Sequence, residues 1–302
     1  MTTDAKAPPT GVAQELEPGL RRILAPNPSP MTYWGTNTYL LGTKGLAVID
    51  PGPASEAHLS AILNAVGPGQ RISHILVTHA HIDHSPLAAP LAQATGAPVL
   101  AFGDAGAGRS AVMQQLAAEG LAGGGEGVDA DFAPDQTLAE GDVVTGDGWD
   151  VTTLHTPGHF GNHVSFAWGD ALFCGDHVMG WASSLVSPPD GDLTDFMASC
   201  AKLQARRWRV FHSGHGLPIT DPNARLDWLV AHRLARAAAI LEALADGPAT
   251  AEALARRIYT DTPSALLPAA TRNVFAHLVD MARKNQAAPD GPLSADARFK
   301  RV

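Results

Sequence analysis

The chain has 302 residues, 45% of them hydrophobic, and a net charge of −9, an ordinary globular balance that excludes a disordered chain. Residues 1–221 hold 10 basic and 22 acidic groups while residues 222–302 hold 11 and 8, which excludes a surface that clamps duplex nucleic acid all over. The two cysteines form no CxxC, the first 20 residues have no apolar signal core, and no apolar run reaches the ~18 residues of a membrane span, so a soluble cytoplasmic protein with no membrane partner is expected.

Residues 1–19 read as a flexible leader and residues 26–30, rich in Pro, Asn and Ser, as a loop. Apolar stretches at 38–41 and 46–49 predict a β-hairpin closed by Asp50-Pro51-Gly52. Helical spacing of Leu59, Ile62, Leu63 and Val66 predicts a helix over 54–66, stopped by Gly67-Pro68-Gly69. A strand at 72–77, a helix at 86–94 and a strand at 99–102 continue the alternation of layered α/β structure.

Residues 103–127, rich in Gly and Ala, read as a surface insertion around a short helix: a mobile flap, or a solvent loop with no role. Strands resume at 143–145, 150–154, 164–168 and 171–174, followed by a helix over 193–207 and a strand at 209–211. Beyond Pro222 only helices are expected, at 226–245, 251–259 and 269–284, with a turn-rich tail at 287–302. The domain division is therefore a leader 1–19, a catalytic domain 20–221 and a helical domain 222–302, the last being winged-helix-like or a plain helical cap.

Chemistry concentrates in His79-Ala80-His81-Ile82-Asp83-His84, directly after the strand at 72–77. On extended backbone residues two apart point the same way, so His79 and His81 can grip one ion, while Asp83 and His84 follow the turn of the chain toward a second. Imidazole and carboxylate are ligands that Zn2+ accepts. Three histidines and a carboxylate in six residues would be costly to bury without a ligand.

Further ligands are sought where polar groups leave strands. His159 in Thr156-Pro157-Gly158-His159 completes a set with His79 and His81. Asp176 is placed to bridge, and His215 joins Asp83 and His84. His163 and Trp181 are candidate substrate contacts, and the loop at 183–192 a candidate pocket wall. His177 reads as pointing away or supporting a ligand, and His74, His155 and His212 as packing residues.

HxHxDH at 79–84, TPGH at 156–159, GD at 175–176 and GHG at 214–216, with the opening Asn37-Thr38-Tyr39-Leu40 and Ile49-Asp50-Pro51-Gly52, resemble the metallo-β-lactamase superfamily over residues 20–220. The resemblance implies an α/β fold, an αββα sandwich with a small helical C-terminal domain, and a binuclear centre. It assigns His79, His81 and His159 to one divalent ion and Asp83, His84 and His215 to the other, with Asp176 between them. Zn2+ is expected, with Fe or Mn as alternatives that the same ligands accept. Two such ions about 3.5–4 Å apart would lower the pKa of a bridging water to supply hydroxide and would polarise the scissile group. Asp83, able to orient that water, is the expected catalytic residue.

The expected reaction is hydrolysis of a small ester, thioester or lactone. The alternative is single-strand RNA cleavage, with Arg272, Arg283, Lys284, Arg298, Lys300 and Arg301 holding phosphates, and weak β-lactam hydrolysis is a further one. The charge weighs against RNA: the slight basic excess is small beside the acidic catalytic domain, and no base-stacking aromatic motif is visible. A small-molecule substrate is therefore the expected partner, with the C-terminal helices capping it or forming a homodimer.

Overall fold

The computed structural model describes residues 6–124 and 127–302. Its first sheet takes seven strands in chain order, β1 (Gln14–Glu17), β2 (Leu20–Leu24), β3 (Asn37–Leu41), β4 (Gly45–Ile49), β5 (Arg71–Leu76), β6 (Val99–Ala101) and β7 (Gln136–Thr137). The hairpin half is antiparallel through β4, and the rest is parallel, with helices in the first two of its three crossovers and the insertion in the third. These helices are α1 (Glu56–Asn64), capped by Ser55, and α2 (Ala88–Thr95), ended by the left-handed Gly96.

The second sheet is built from β8 (Val143–Thr145), β9 (Asp150–His155), β10 (Val164–Trp168) and β11 (Ala171–Gly175), antiparallel to one another, with β12 (Val210–Ser213) added parallel to β11. Helix α4 (Leu193–Gln204) makes that last crossover; α3 (Ala111–Ala118) lies in the insertion after β6.

Alternation along the strands sorts the cores. Tyr39, Leu41, Ala47 and Ile49 face the second sheet and meet Val151, Val164, Phe166 and Phe173. Leu40, Leu46 and Val48 face outward beneath Ile62 of α1 and Leu91 of α2. On the far side Phe196, Cys200 and Leu203 of α4 cover Leu172, Cys174 and Phe211. The result is the αββα sandwich, with the strand ends carrying the polar motifs gathered at one edge.

After it come α5 (Pro222–Ala243), β13 (Ala249–Thr250), α6 (Ala251–Ile258), α7 (Leu267–Arg283), β14 (Ala287–Pro289) and β15 (Arg298–Arg301). The tail expected to be only turn-rich forms a small sheet in the order β13-β15-β14, the wing beside three helices. No helix among the described residues is long and apolar enough to cross a membrane.

Two expectations need correction. Residues 1–5 of the expected leader lie outside the described residues, but Gln14–Glu17 is strand β1, paired antiparallel with β2. An edge strand draws its stability from the backbone ladder, so its polar sequence carried no signal; Glu17 adds an ion pair to Arg209 at 3.0 Å.

The insertion is neither flap nor solvent loop where it is described, Gly125 and Glu126 lying outside the described residues. Met113 and Leu116 of α3 are buried in one core with Ile240, Leu254 and Phe275 of the C-terminal helices. Arg109 pairs with Asp190 at 2.7 Å beside it. Two apolar residues spaced by three suffice for docking, a signal too short to see among alanines and glycines.

Candidate metal centre

The site is assembled at the ends of β4, β5, β9, β11 and β12. Asp50 closes β4 with φ +53, a conformation that disfavours most side chains and persists only where the surroundings hold it. Its carboxylate accepts the Thr78 backbone N–H at 2.7 Å, the Thr78 hydroxyl at 2.8 Å and His84 Nδ1 at 2.9 Å. That clasp turns the chain out of β5 so that residues 79–84 cross the sheet edge.

Two groups of side chains converge there. His79, His81 and His159 form one, and Asp83, His84, Asp176 and His215 the other, with ligand atoms within 4.8 Å of one another in each. In the first, His79 Nε2 and His159 Nε2 lie 2.9 and 3.1 Å from His81 Nδ1. In the second, His215 Nε2 lies 3.2 Å from Asp83 Oδ2 and 3.1 Å from Asp176 Oδ2, and His84 Nε2 is 3.3 Å from Asp83 Oδ2. Asp176 Oδ2 is also 3.8 Å from His159 Nε2, so this carboxylate borders both groups.

The outer nitrogens fix the tautomers. His159 Nδ1 faces the Leu185 carbonyl at 2.7 Å and His215 Nδ1 the Gly35 carbonyl at 3.0 Å. His84 Nδ1 faces the Asp50 carboxylate, and His79 Nδ1 the Thr78 oxygen at 2.9 Å, whose proton goes to Asp50. Because carbonyl and carboxylate oxygens only accept, each of these nitrogens donates, which leaves the inner Nε2 as the atom that can turn a lone pair to a cation.

Lone pairs pointed at one another and at carboxylates repel unless a cation or a proton lies among them. Asp83 Oδ1, His84 Nε2 and Asp176 Oδ1 are moreover buried without a hydrogen-bond partner among the described residues. A Cβ on Gly214 would stand 2.2 Å from Asp176 Oδ1 and 2.6 Å from His84 Cε1, so only glycine leaves room for the second group. The donor set of imidazoles and carboxylates thus fits two divalent cations.

Electrostatics agree. Burial, reinforced by the neighbouring imidazoles, holds His79 well below its ordinary pKa and His81 down at about 3, so both are neutral donors. Burial opposes charge at His215 too, but the Asp176 and Asp83 carboxylates override it and raise the group to about 10. His84 is likewise driven up against burial by Asp83, Asp176 and Asp50. Where the inner position holds no dication, a proton takes its place.

A cavity of about 210 Å3 opens above these residues. Met31, Trp181 and Leu185 form its walls on the sandwich side, and Tyr259, Leu266 and Asn273 close it from the C-terminal helices. Trp181, expected near substrate, does line it, stacked on Tyr33 at 4.8 Å. Ser183 and Leu185 bring the expected loop into the wall.

His163 does not face this cavity, which corrects the expectation that it contacts substrate. It is fully buried behind His79, 5.0 Å between ring centroids, held there by the bond of Nδ1 to Thr156 Oγ1 at 2.9 Å. His177 packs against Phe196 with Nε2 3.5 Å from Cys200 Sγ. His155 stacks on Phe102.

Sequence reasoning missed Asp50 and Thr36, and it offered the C-terminal helices as a cap without naming Tyr259, Leu266 or Asn273. Asp50 obeys the rule used for the other ligands, a polar group leaving a strand, but its local sequence reads only as part of a turn. Thr36 donates to Asp83 Oδ2 at 3.2 Å, and nothing local marks it.

Residues 31–215 match the family model of the metallo-beta-lactamase superfamily, and residues 250–292 that of the beta-lactamase associated winged helix domain. The chain is 32% identical over 280 residues to the Beta-lactamase-like protein 2 homolog of Drosophila melanogaster, covering 88% of both chains. It is 28% identical over 235 residues to the Atrochrysone carboxyl ACP thioesterase of Claviceps purpurea (strain 20.1), covering 76% of this chain and 67% of the other. A metallo-beta-lactamase family protein of Thermus thermophilus superposes with a TM-score of 0.76 at 27% identity, covering 95% of this chain and all of that one (100%). A beta-lactamase domain protein of Burkholderia ambifaria shares the fold at a TM-score of 0.81 and 22% identity, covering 99% and 96%.

Proposed function

The chain belongs to the metallo-β-lactamase superfamily and is a hydrolase of that family, and from that premise we propose that it hydrolyses an acyl thioester at the paired His/Asp centre. His79, His81 and His159 would hold one ion, and Asp83, His84 and His215 the other, with Asp176 shared. Zinc is the first candidate, and iron or manganese suit the same donors. When bound, two dications supply Lewis acidity toward a carbonyl oxygen and a water of lowered pKa.

The remaining work falls to the chain itself. Asp83 receives the Thr36 hydroxyl on Oδ2 and keeps Oδ1 without a hydrogen-bond partner among the described residues, so Oδ1 is the atom suited to take a proton from attacking water. Water then adds across the C–S bond, leaving a carboxylic acid and a thiol.

The observation that carries the reading is the cavity. Its walls of Met31, Trp181, Leu185 and Leu266 suit an acyl group, and its lining holds no Lys or Arg to track a phosphate backbone. The thioesterase name carried by the Claviceps purpurea relative supports the same choice over ester, lactone or β-lactam. The residues required for RNA binding are largely engaged: Arg283 with Asp192 at 3.1 Å, Lys284 with Asp280 at 2.7 Å, and Arg272 with the Ala122 carbonyl at 2.9 Å. Both cysteines are buried free thiols, which supports a reducing compartment such as the cytoplasm.

A panel of acyl thioesters, lactones, nitrocefin and single-stranded RNA, assayed on metal-quantified protein, tests this. Turnover of a thioester that is lost in His81→Ala is expected. Cleavage of RNA with steep salt dependence and no thioester turnover would overturn it.

A further inference from the structure

The pocket-wall segment at residues 184–186 is held on three successive backbone groups. The Ser184 carbonyl accepts from Arg233 Nη2 of α5, the Leu185 carbonyl from His159 Nδ1 at 2.7 Å, and the Val186 N–H donates to Asn273 Oδ1 of α7 at 3.1 Å. Arg233 Nη1 also donates to Asn273 Oδ1, at 3.0 Å, so two donors orient that amide and tie both helices to one point. Eight residues earlier on α5, Arg225 holds the preceding stretch by the Met179 and Ala182 carbonyls, at 2.7 and 2.6 Å.

Arg233 is 2% exposed and forms no ion pair with a carboxylate among the described residues, its guanidinium lying 5.1 Å over the Phe196 ring. A buried cation without a counter-charge is costly, and an aliphatic side chain would fill the same place more cheaply. What it has instead is a carbonyl and an amide oxygen, both on the path to His159.

We propose that the C-terminal domain positions the candidate ligand His159 through an Arg233–Asn273 clamp on the backbone that carries the Leu185 carbonyl. This rests on the reading of His159 as a metal ligand. The Leu185 oxygen keeps the proton on Nδ1 and leaves Nε2 as a lone pair beside His81. If residues 184–186 drift, His159 loses the outer partner that its Nδ1 has among the described residues and can carry the proton on Nε2, which then cannot ligate. Arg233 and Asn273 are positioning residues in this scheme; neither touches the His159 ring.

The test measures equilibrium Zn2+ affinity by chelator competition, and the absorption of the Co2+-loaded protein, on full-length wild type and variants. His159→Ala should weaken one of two ions. Asn273→Leu should weaken the same ion measurably, by up to about 10-fold because it acts one step beyond the direct partner Leu185, and alter the Co2+ spectrum. Asn273→Asp retains oxygens for both Arg233 and the Val186 N–H and should stay within about threefold of wild type. Phe299→Leu, in the C-terminal core away from the clamp, controls for simple destabilisation; Arg233→Met provides a second reading should Asn273→Leu fail to fold. Wild-type affinity and spectrum in both Asn273→Leu and Arg233→Met overturn the clamp while leaving the metal reading intact. A wild type that binds two ions no more tightly than His159→Ala overturns the metal reading and the clamp with it.

Discussion

His84 Nδ1 lies 2.9 Å from Asp50 Oδ2, across 34 residues of sequence, and the same carboxylate receives both the backbone N–H and the hydroxyl of Thr78. One side chain therefore turns the HxHxDH segment and orients a histidine within it. Asp50→Ala leaves three buried donors unpaired at about 1–3 kcal/mol each, an upper estimate once the site relaxes. A lower melting temperature and metal affinity reduced about 10–100-fold are expected, measured by calorimetry and chelator competition. An Asp50→Ala variant that keeps wild-type metal affinity would show that His84 is oriented by something else.

Asp83→Ala and His81→Ala should each lower turnover by orders of magnitude, and Asp83→Asn by about 10²–10⁴-fold if proton transfer is its chief loss. Far-UV circular dichroism should remain native, since both side chains sit at the cavity floor and not between the sheets. Wild-type turnover in either alanine variant, in a metal-defined buffer, is the result that sinks the assignment.

Protonation supplies a pH test. In the metal-free chain His215 is raised to about 10 and His84 is also raised, against an ordinary value near 6.5. A raised folded-state pKa stabilises fully below the unfolded value and is lost as pH rises through the folded one. Metal-free stability should therefore decline between about pH 6.5 and 10, a decline that metal loading removes. Asp83 and Asp176 are held below their ordinary values, so their contribution is present above about pH 4 and lost on further acidification. Metal binding near pH 8 should release at least one proton, from His215, and the raised His84 adds to that release. Isothermal titration in buffers of different ionisation enthalpy reads that number directly, and zero release would contradict it.

Leu266 and Ala269 line the cavity from the C-terminal helices, so their size should set acyl-chain selectivity. Ala269→Leu is expected to shift preference toward shorter chains, by about 10–200-fold in kcat/KM for each methylene excluded. Unchanged chain-length profiles would mean that the acyl group lies elsewhere.

The insertion makes a thermodynamic claim. Met113 and Leu116 are 1% and 2% exposed within the C-terminal core, and truncation of either to alanine should cost about 2–5 kcal/mol. Denaturant unfolding monitored by circular dichroism gives the value. A free flap would lose nothing.

The sandwich and its ligand candidates were legible in the chain because both depend on local pattern. Short apolar stretches bounded by turn residues mark the strands at 38–41 and 46–49, and ligands that leave strand ends announce themselves by position. The chemical type of the centre was suggested by side chains: seven imidazoles and carboxylates suit a divalent cation once the fold brings them together. Strand β1, with Glu15 and Glu17, was illegible because a backbone ladder has no side-chain signature.

Tertiary structure decided the rest, because those features pair groups far apart in the chain. Nothing around Asp50 says that it will reach His84, and nothing near Arg233 says that its cation will have an amide and a carbonyl in place of a carboxylate. The helix at Met113 and Leu116 could be judged only once the C-terminal core existed to receive it. Cavity walls drawn from Met31, Leu185, Tyr259 and Asn273 are a property of docking between two domains. Ligand identity is local chemistry, whereas ligand orientation and substrate space are set by long-range contacts.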